Sequence, residues 1–108
     1  MKTVIKQAET FRRSLKFTHI KSGEIINLDG CTAYSQMRKV PGGELIADAD
    51  CAIDIANGIV MATWSAAQTA EFPIGKLGYD IWLVYRDEQK PIYTETVEVI
   101  QPYTVIGE

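Results

Sequence analysis

One histidine, two cysteines and no positive run longer than the Arg12–Arg13 pair leave this 108-residue chain little material for several kinds of chemistry. Any Ser–His or Cys–His pair has to use His19, which lies beside the Lys21–Gly23 turn, and no nucleophile-elbow motif occurs. His19 therefore reads as a surface or turn histidine. Cys31 and Cys51 stand too far apart for a C-x-x-C pair, so a zinc site would have to gather scattered ligands. Both thiols sit among small or apolar neighbours and read as buried free cysteines, with a disulfide left open. Clustered Lys and Arg are what release counterions from nucleic acid, and without a cluster nucleic-acid binding is not expected. No stretch approaches the ~20 apolar residues of a membrane span, and MKTVIKQAE lacks the apolar centre of a signal peptide. The expectation is synthesis in the bacterial cytoplasm, with reduced thiols and no membrane partner.

Acidic residues are present but not in a chemical pattern. Glu44, Asp48, Asp50 and Asp54 cluster before a hairpin, yet the glycine and closing glutamate of a calcium loop are missing. Nothing pairs one of these carboxylates with the dry pocket that a glycosidase acid needs. Gly42-Gly43 and Gly75…Gly78 read as turn glycines, since neither spacing matches a phosphate-cradling loop. No catalytic, cofactor-binding or metal-binding residue is assigned, and no cofactor is expected.

What the chain has in quantity is short segments of period two, bounded by Gly, Pro, Asn and Asp. Thr3–Lys6 reads as a first strand. Over Thr10–Thr18 the odd positions carry Phe11, Leu15 and Phe17 and the even ones Arg12, Ser14, Lys16 and Thr18, with only Arg13 against the pattern. Cys31–Arg38 alternates again, and Leu45-Ile46 reads as a strand fragment. Asn57-Gly58 between two β-type runs predicts a hairpin in which both residues take positive φ. Ser65–Glu71 is the one helical stretch, with Ser65 and Gln68 forming a capping box and Pro73 and Gly75 ending it. Tyr79–Arg86 is a central strand whose faces are Tyr79, Ile81, Leu83, Tyr85 and Asp80, Trp82, Val84, Arg86. Asp87–Lys90 reads as a turn, and Pro91 as the first residue of a strand running to Ile100. The apolar share of 46% and charged share of 23% are those of a folded globular chain, and net charge is -3. Together these predict one all-β domain over residues 1–108: an immunoglobulin-like two-sheet β-sandwich of about seven to eight strands with one short crossover helix.

If Ile81 and Leu83 face inward, Trp82 and Val84 face outward, along with Tyr34 on its own strand; Tyr103 follows in an apolar closing segment. Large aromatics on an outer sheet face are covered by the chain's own helix or terminal segment, or by a partner. Tyr34, Trp82, Val84 and Tyr103 are the candidate interaction surface.

Four segments resemble a family of small phage tail proteins that includes the immunoglobulin-like N-terminal modules of baseplate proteins. They are QAETFRR at Gln7–Arg13, INLDGCTAYSQMR at Ile26–Arg38, SAAQTAEFPIGKLGYDIWL at Ser65–Leu83 and VEVIQP at Val97–Pro102. The family's marks are met by Leu28, Gly30, Thr32-Ala33, Thr69-Ala70, Gly75 and Tyr79-Asp80. The chain departs from it at Ala8 and Glu95, where glycine is usual, and at Ser35, where a larger apolar residue is common. The resemblance spans nearly the whole chain and implies a stand-alone relative. It also implies a non-enzymatic phage or prophage structural protein of the tail, baseplate or tail-fibre attachment, assembled with other tail proteins and with itself, and incorporated in a virion. A carbohydrate- or ligand-binding sandwich at a cell surface, stacking sugars on Trp82, Tyr34 or Tyr103, is the alternative.

Overall fold

Alternation decides which way each strand faces, and strand pairing then decides what it faces. The computed structural model describes residues 2–104 and 106. Eight strands form among them: β1 Thr3–Lys6, β2 Phe11–Lys16, β3 Cys31–Lys39, β4 Leu45–Asp48, β5 Asp50–Asp54, β6 Ile59–Trp64, β7 Gly75–Tyr85 and β8 Glu88–Ile100. One helix, α1 Ala66–Ala70, joins β6 to β7. Five strands make one sheet in the order β1-β8-β7-β3-β4, and three make the other in the order β2-β6-β5. Only β1 is parallel to its neighbour, β8; every other pairing is antiparallel. The protein is a two-sheet β-sandwich with one short crossover helix.

Inward rows from both sheets close the core. Ile5, Met37, Leu77, Ile81, Val97 and Val99 come from the five-stranded sheet, and Phe11, Val60, Ala62 and Trp64 from the other. Phe11, Trp64 and Tyr79 meet as an aromatic triangle with centroid separations of 5.7, 5.8 and 5.1 Å. Such pairs add to the burial term when offset or edge-on. The Trp64 indole N–H donates to the Ala47 carbonyl at 3.3 Å, so this large residue is buried with its polar atom satisfied. Ser35, inward on β3, is satisfied in the same way: its hydroxyl donates to the Asp80 carbonyl at 2.6 Å.

Besides the long β2–β3 loop, the chain crosses between sheets through three shorter connections. After β1 it turns through Ala8, whose φ of 70° lies in the left-handed region. An alanine pays steric strain there that a glycine would not. β4 and β5 are separated by Ala49 alone, whose N–H donates to the Ser35 carbonyl as the chain bends from one sheet to the other. The third crossing is α1, too short to be helical on its own. Ser65 and Gln68 form the expected capping box, and the buried Thr69 hydroxyl donates to the Glu9 carbonyl at 2.6 Å.

Two turns differ from the sequence expectation. The β5–β6 connection has four residues, Ile55–Gly58, and of the Asn-Gly pair only Gly58 has positive φ (65°). Asp54 is the reason: its carboxylate accepts from the Asn57 backbone N–H and side-chain amide, holding Asn57 short of the left-handed region. The β7–β8 turn is the two-residue pair Arg86-Asp87, so Glu88–Lys90 are strand and Pro91 is inside β8, not at its start. Pro91 is tolerated because β1 reaches only Val97–Ile100, leaving this part of β8 an open edge beside a bulge.

Candidate interaction face

The outer face of the five-stranded sheet carries three of the four candidate residues. Trp82 on β7 lies directly opposite Tyr34 on β3 and Pro91 on β8, while Val84 lies opposite Thr32 and Gln89. Residues opposite one another on neighbouring strands share a face, so Tyr34, Trp82 and Pro91 form one row. Tyr34 is 57% exposed; Trp82 and Val84 are half-buried by their neighbours. Beside the row a depression of about 220 Å³ is lined by Tyr34, Gln36, Arg38, Asp80 and Trp82. The short helix does not cover this row: α1 is tied to Asp48 and to the loop after β1.

Tyr103 does not join them. It is fully exposed beyond the end of β8, where Val99 pairs with Gly75. Trp82 is seven residues along β7 from Gly75, roughly 23 Å at ~3.3 Å per residue. The segment containing Tyr103 instead borders a groove of about 590 Å³ lined by Gln7, Ala8, Ala66, Ala70, Pro102 and Ile106.

Arg13, the residue against the alternation, points into the sandwich and meets a partner there. Its Nε and Nη2 both donate to the Glu95 carboxylate at 3.1 Å, a two-point pairing that joins β2 to β8 across the sheets. Tyr79 and Thr3 hydroxyls donate to the same carboxylate at 2.6 Å each. Burial alone would raise the Glu95 pKa, but donors from Arg13, Thr3 and Tyr79 outweigh it together and hold the carboxyl at about 2. The Glu95 bond keeps Arg13 protonated, and burial with the Glu95 contact pushes Tyr79 up. Arg13 Nε and Nη2, both Glu95 oxygens and the Tyr79 and Thr3 hydroxyls all bond within the cluster, which makes it a cross-brace. Its signal was in the sequence, as two opposite charges at inward phase, Arg13 on β2 and Glu95 in line with Val97 and Val99.

The remaining chemical candidates are dispersed. Cys31 and Cys51 are free and half-buried, and burial with the Asp50 charge raises the Cys51 thiol. His19 is exposed in a turn, its N–H donating to the Glu24 carbonyl. Asp48 accepts from Gln36, and Asp54 serves the β5–β6 turn. Among the described residues no three His, Cys, Asp or Glu side chains are placed to share a metal ion, and no helix is long and apolar enough to cross a membrane.

A β-sandwich of five and three strands, with an aromatic row on its wider sheet, is the class of protein the geometry defines. No protein-family model matches the chain, and no curated protein matches it. Fifteen solved chains are similar to it. One is the N-terminal domain of phage TP901-1 ORF48, 12% identical, with a TM-score of 0.47 over 94% of this chain and 84% of that one.

Proposed function

We propose that this chain is a non-enzymatic structural protein of a phage or prophage tail or baseplate, acting by docking to other tail proteins and to itself. The observation that carries the reading is the Tyr34–Trp82–Pro91 row, a partly exposed aromatic surface on a sheet whose segments resemble those of phage tail proteins. Aromatic side chains give large contact area at little entropic cost, which is why they anchor interfaces. Incorporation in a virion or tail follows from this reading. Co-purification and calorimetric titration against the tail proteins encoded beside its gene test it. Binding that Trp82→Ala weakens at least tenfold supports the reading; no affinity for any of them overturns it.

A second reading has its own observation. Gln36, Arg38 and Asp80 surround the aromatic pair, which are the polar groups a stacked sugar needs at its rim. A glycan array giving hits that Trp82→Ala abolishes would favour a carbohydrate-binding module; an array without hits removes it.

A further inference from the structure

The three-stranded sheet has a charge pattern that neither function above uses. β2 and β5 both pair with β6, and among the described residues no strand pairs with the far side of either. Pairing through β6 aligns them residue by residue: Arg12, Thr63 and Asp50 form one outer row, and Lys16, Ile59 and Asp54 another. Between them lies an uncharged row of Ser14, Met61 and Ala52. The unpaired side of β2 is thus basic and that of β5, which starts from the Ala49–Ser35 contact with β3, is acidic, with the same four-residue spacing, roughly 13 Å.

We propose that this chain self-associates head to tail, β2 of one copy pairing with β5 of the next and extending the three-stranded sheet. β2 and β5 are both antiparallel to β6 and therefore parallel to each other. A neighbouring copy in the same orientation places its Arg12 beside Asp50 and its Lys16 beside Asp54. The symmetric alternatives fail on charge. An antiparallel β2–β2 contact centred on Ser14 sets Arg12 opposite Lys16, and a β5–β5 contact centred on Ala52 sets Asp50 opposite Asp54. Like charges directly opposite destabilise a strand pair. The contact is therefore heterologous, and such contacts propagate into rings or helical arrays. Simple translation is blocked because β1 and β4 widen the other sheet. Successive copies must rotate, which curves the array.

Sedimentation velocity and light scattering across concentration and salt test this. The expected result is species larger than a dimer that grow with concentration and shrink as salt screens the rim charges. Arg12→Glu/Lys16→Glu has two acidic edges, Asp50→Lys/Asp54→Lys two basic ones, and each alone should be monomeric. Mixing the two restores opposite edges at every contact and should restore assembly. Asp54 also holds a turn, so Asp50→Lys alone is the second variant, expected to shift assembly to several-fold higher concentration with its melting temperature unchanged. A wild-type monomer at all concentrations overturns the proposal, as does a species that stops at two copies or assembly indifferent to these charges. Trp82→Ala lies on the other sheet and should leave this self-association intact, which separates the outcome from that of the aromatic face.

Discussion

Protonating Glu95 removes the anion around which the cross-brace is built. The carboxyl sits at about 2 against an ordinary value of 4.5. At ~1.4 kcal/mol per pKa unit that difference bounds the contribution at ~3 kcal/mol. The Arg13 and Glu95 side chains remain 32% and 18% exposed, so solvent screening reduces it to about 2 kcal/mol. The sign follows from the depressed folded-state value: the stabilisation is complete above 4.5 and is lost as pH falls from there towards about 2. Urea unfolding followed by tryptophan emission, with the wild type and Glu95→Gln compared across that window, isolates this group from the other carboxylates. At neutral pH the variant should be less stable by about 2 kcal/mol, and the two curves should converge in acid. Curves that stay parallel from neutral pH to about 2 would refute the argument. Arg13→Met alone and the Arg13→Met/Glu95→Gln double variant close the cycle: the double variant's cost should fall short of the summed single costs by about 1–3 kcal/mol.

Gly58→Ala should destabilise by about 3 kcal/mol in urea, because its φ is +65° and a Cβ there would lie 2.5 Å from Ile25 Cγ2 and 3.0 Å from the Phe17 carbonyl oxygen. Ala8→Gly should do the opposite and raise stability by about 0.5–1 kcal/mol, since relief of the left-handed strain outweighs the added freedom of the unfolded chain; a lowered melting temperature would contradict this. Ser65→Ala removes one half of the capping box and should cost about 1 kcal/mol by the same measurement. With its thiol raised by burial and by Asp50, Cys51 should react with a thiol reagent far more slowly in the folded protein than in urea at neutral pH, and the rate should climb on the alkaline side.

Local chemistry was legible and distant pairing was not. The capping box at Ser65 and Gln68 lies within four residues, so its geometry is fixed by the helix itself, and it formed as expected. The alternation of β2, β3 and β7 likewise assigned inner and outer faces correctly, including the outward Trp82. The Asn57-Gly58 hairpin was right in place but wrong in turn type, because Asp54 competes for Asn57 and an isolated dipeptide does not reveal that. Pro91 was misplaced for a related reason: the rule that confines proline to strand starts also admits open edges, and β8 is open there only because β1 is short. The parallel β1–β8 pair joins the two ends of the chain, and no local pattern encodes it.

The three positions that differ from the phage-tail pattern the sequence resembles have distinct physical roles here. Ala8 holds a left-handed φ, which is the conformation a glycine would supply without strain. Ser35 keeps a buried site polar by giving its hydroxyl to Asp80. Glu95 is coupled to Arg13: with glycine at 95, an inward guanidinium on β2 would lose its carboxylate and be left partly buried with only hydroxyl neighbours. Arg13 is therefore intelligible only together with Glu95, and each looked anomalous alone because their strands lie in different sheets. The charge columns of β2 and β5 follow the same logic. Arg12 and Asp50 read separately as solvated charge, and become a matched pair of edges only when both strands are hung on β6 in register. Surface charges gain meaning from the sheet that spaces them, so the edges are where a sandwich of this kind has most room to encode what it assembles with.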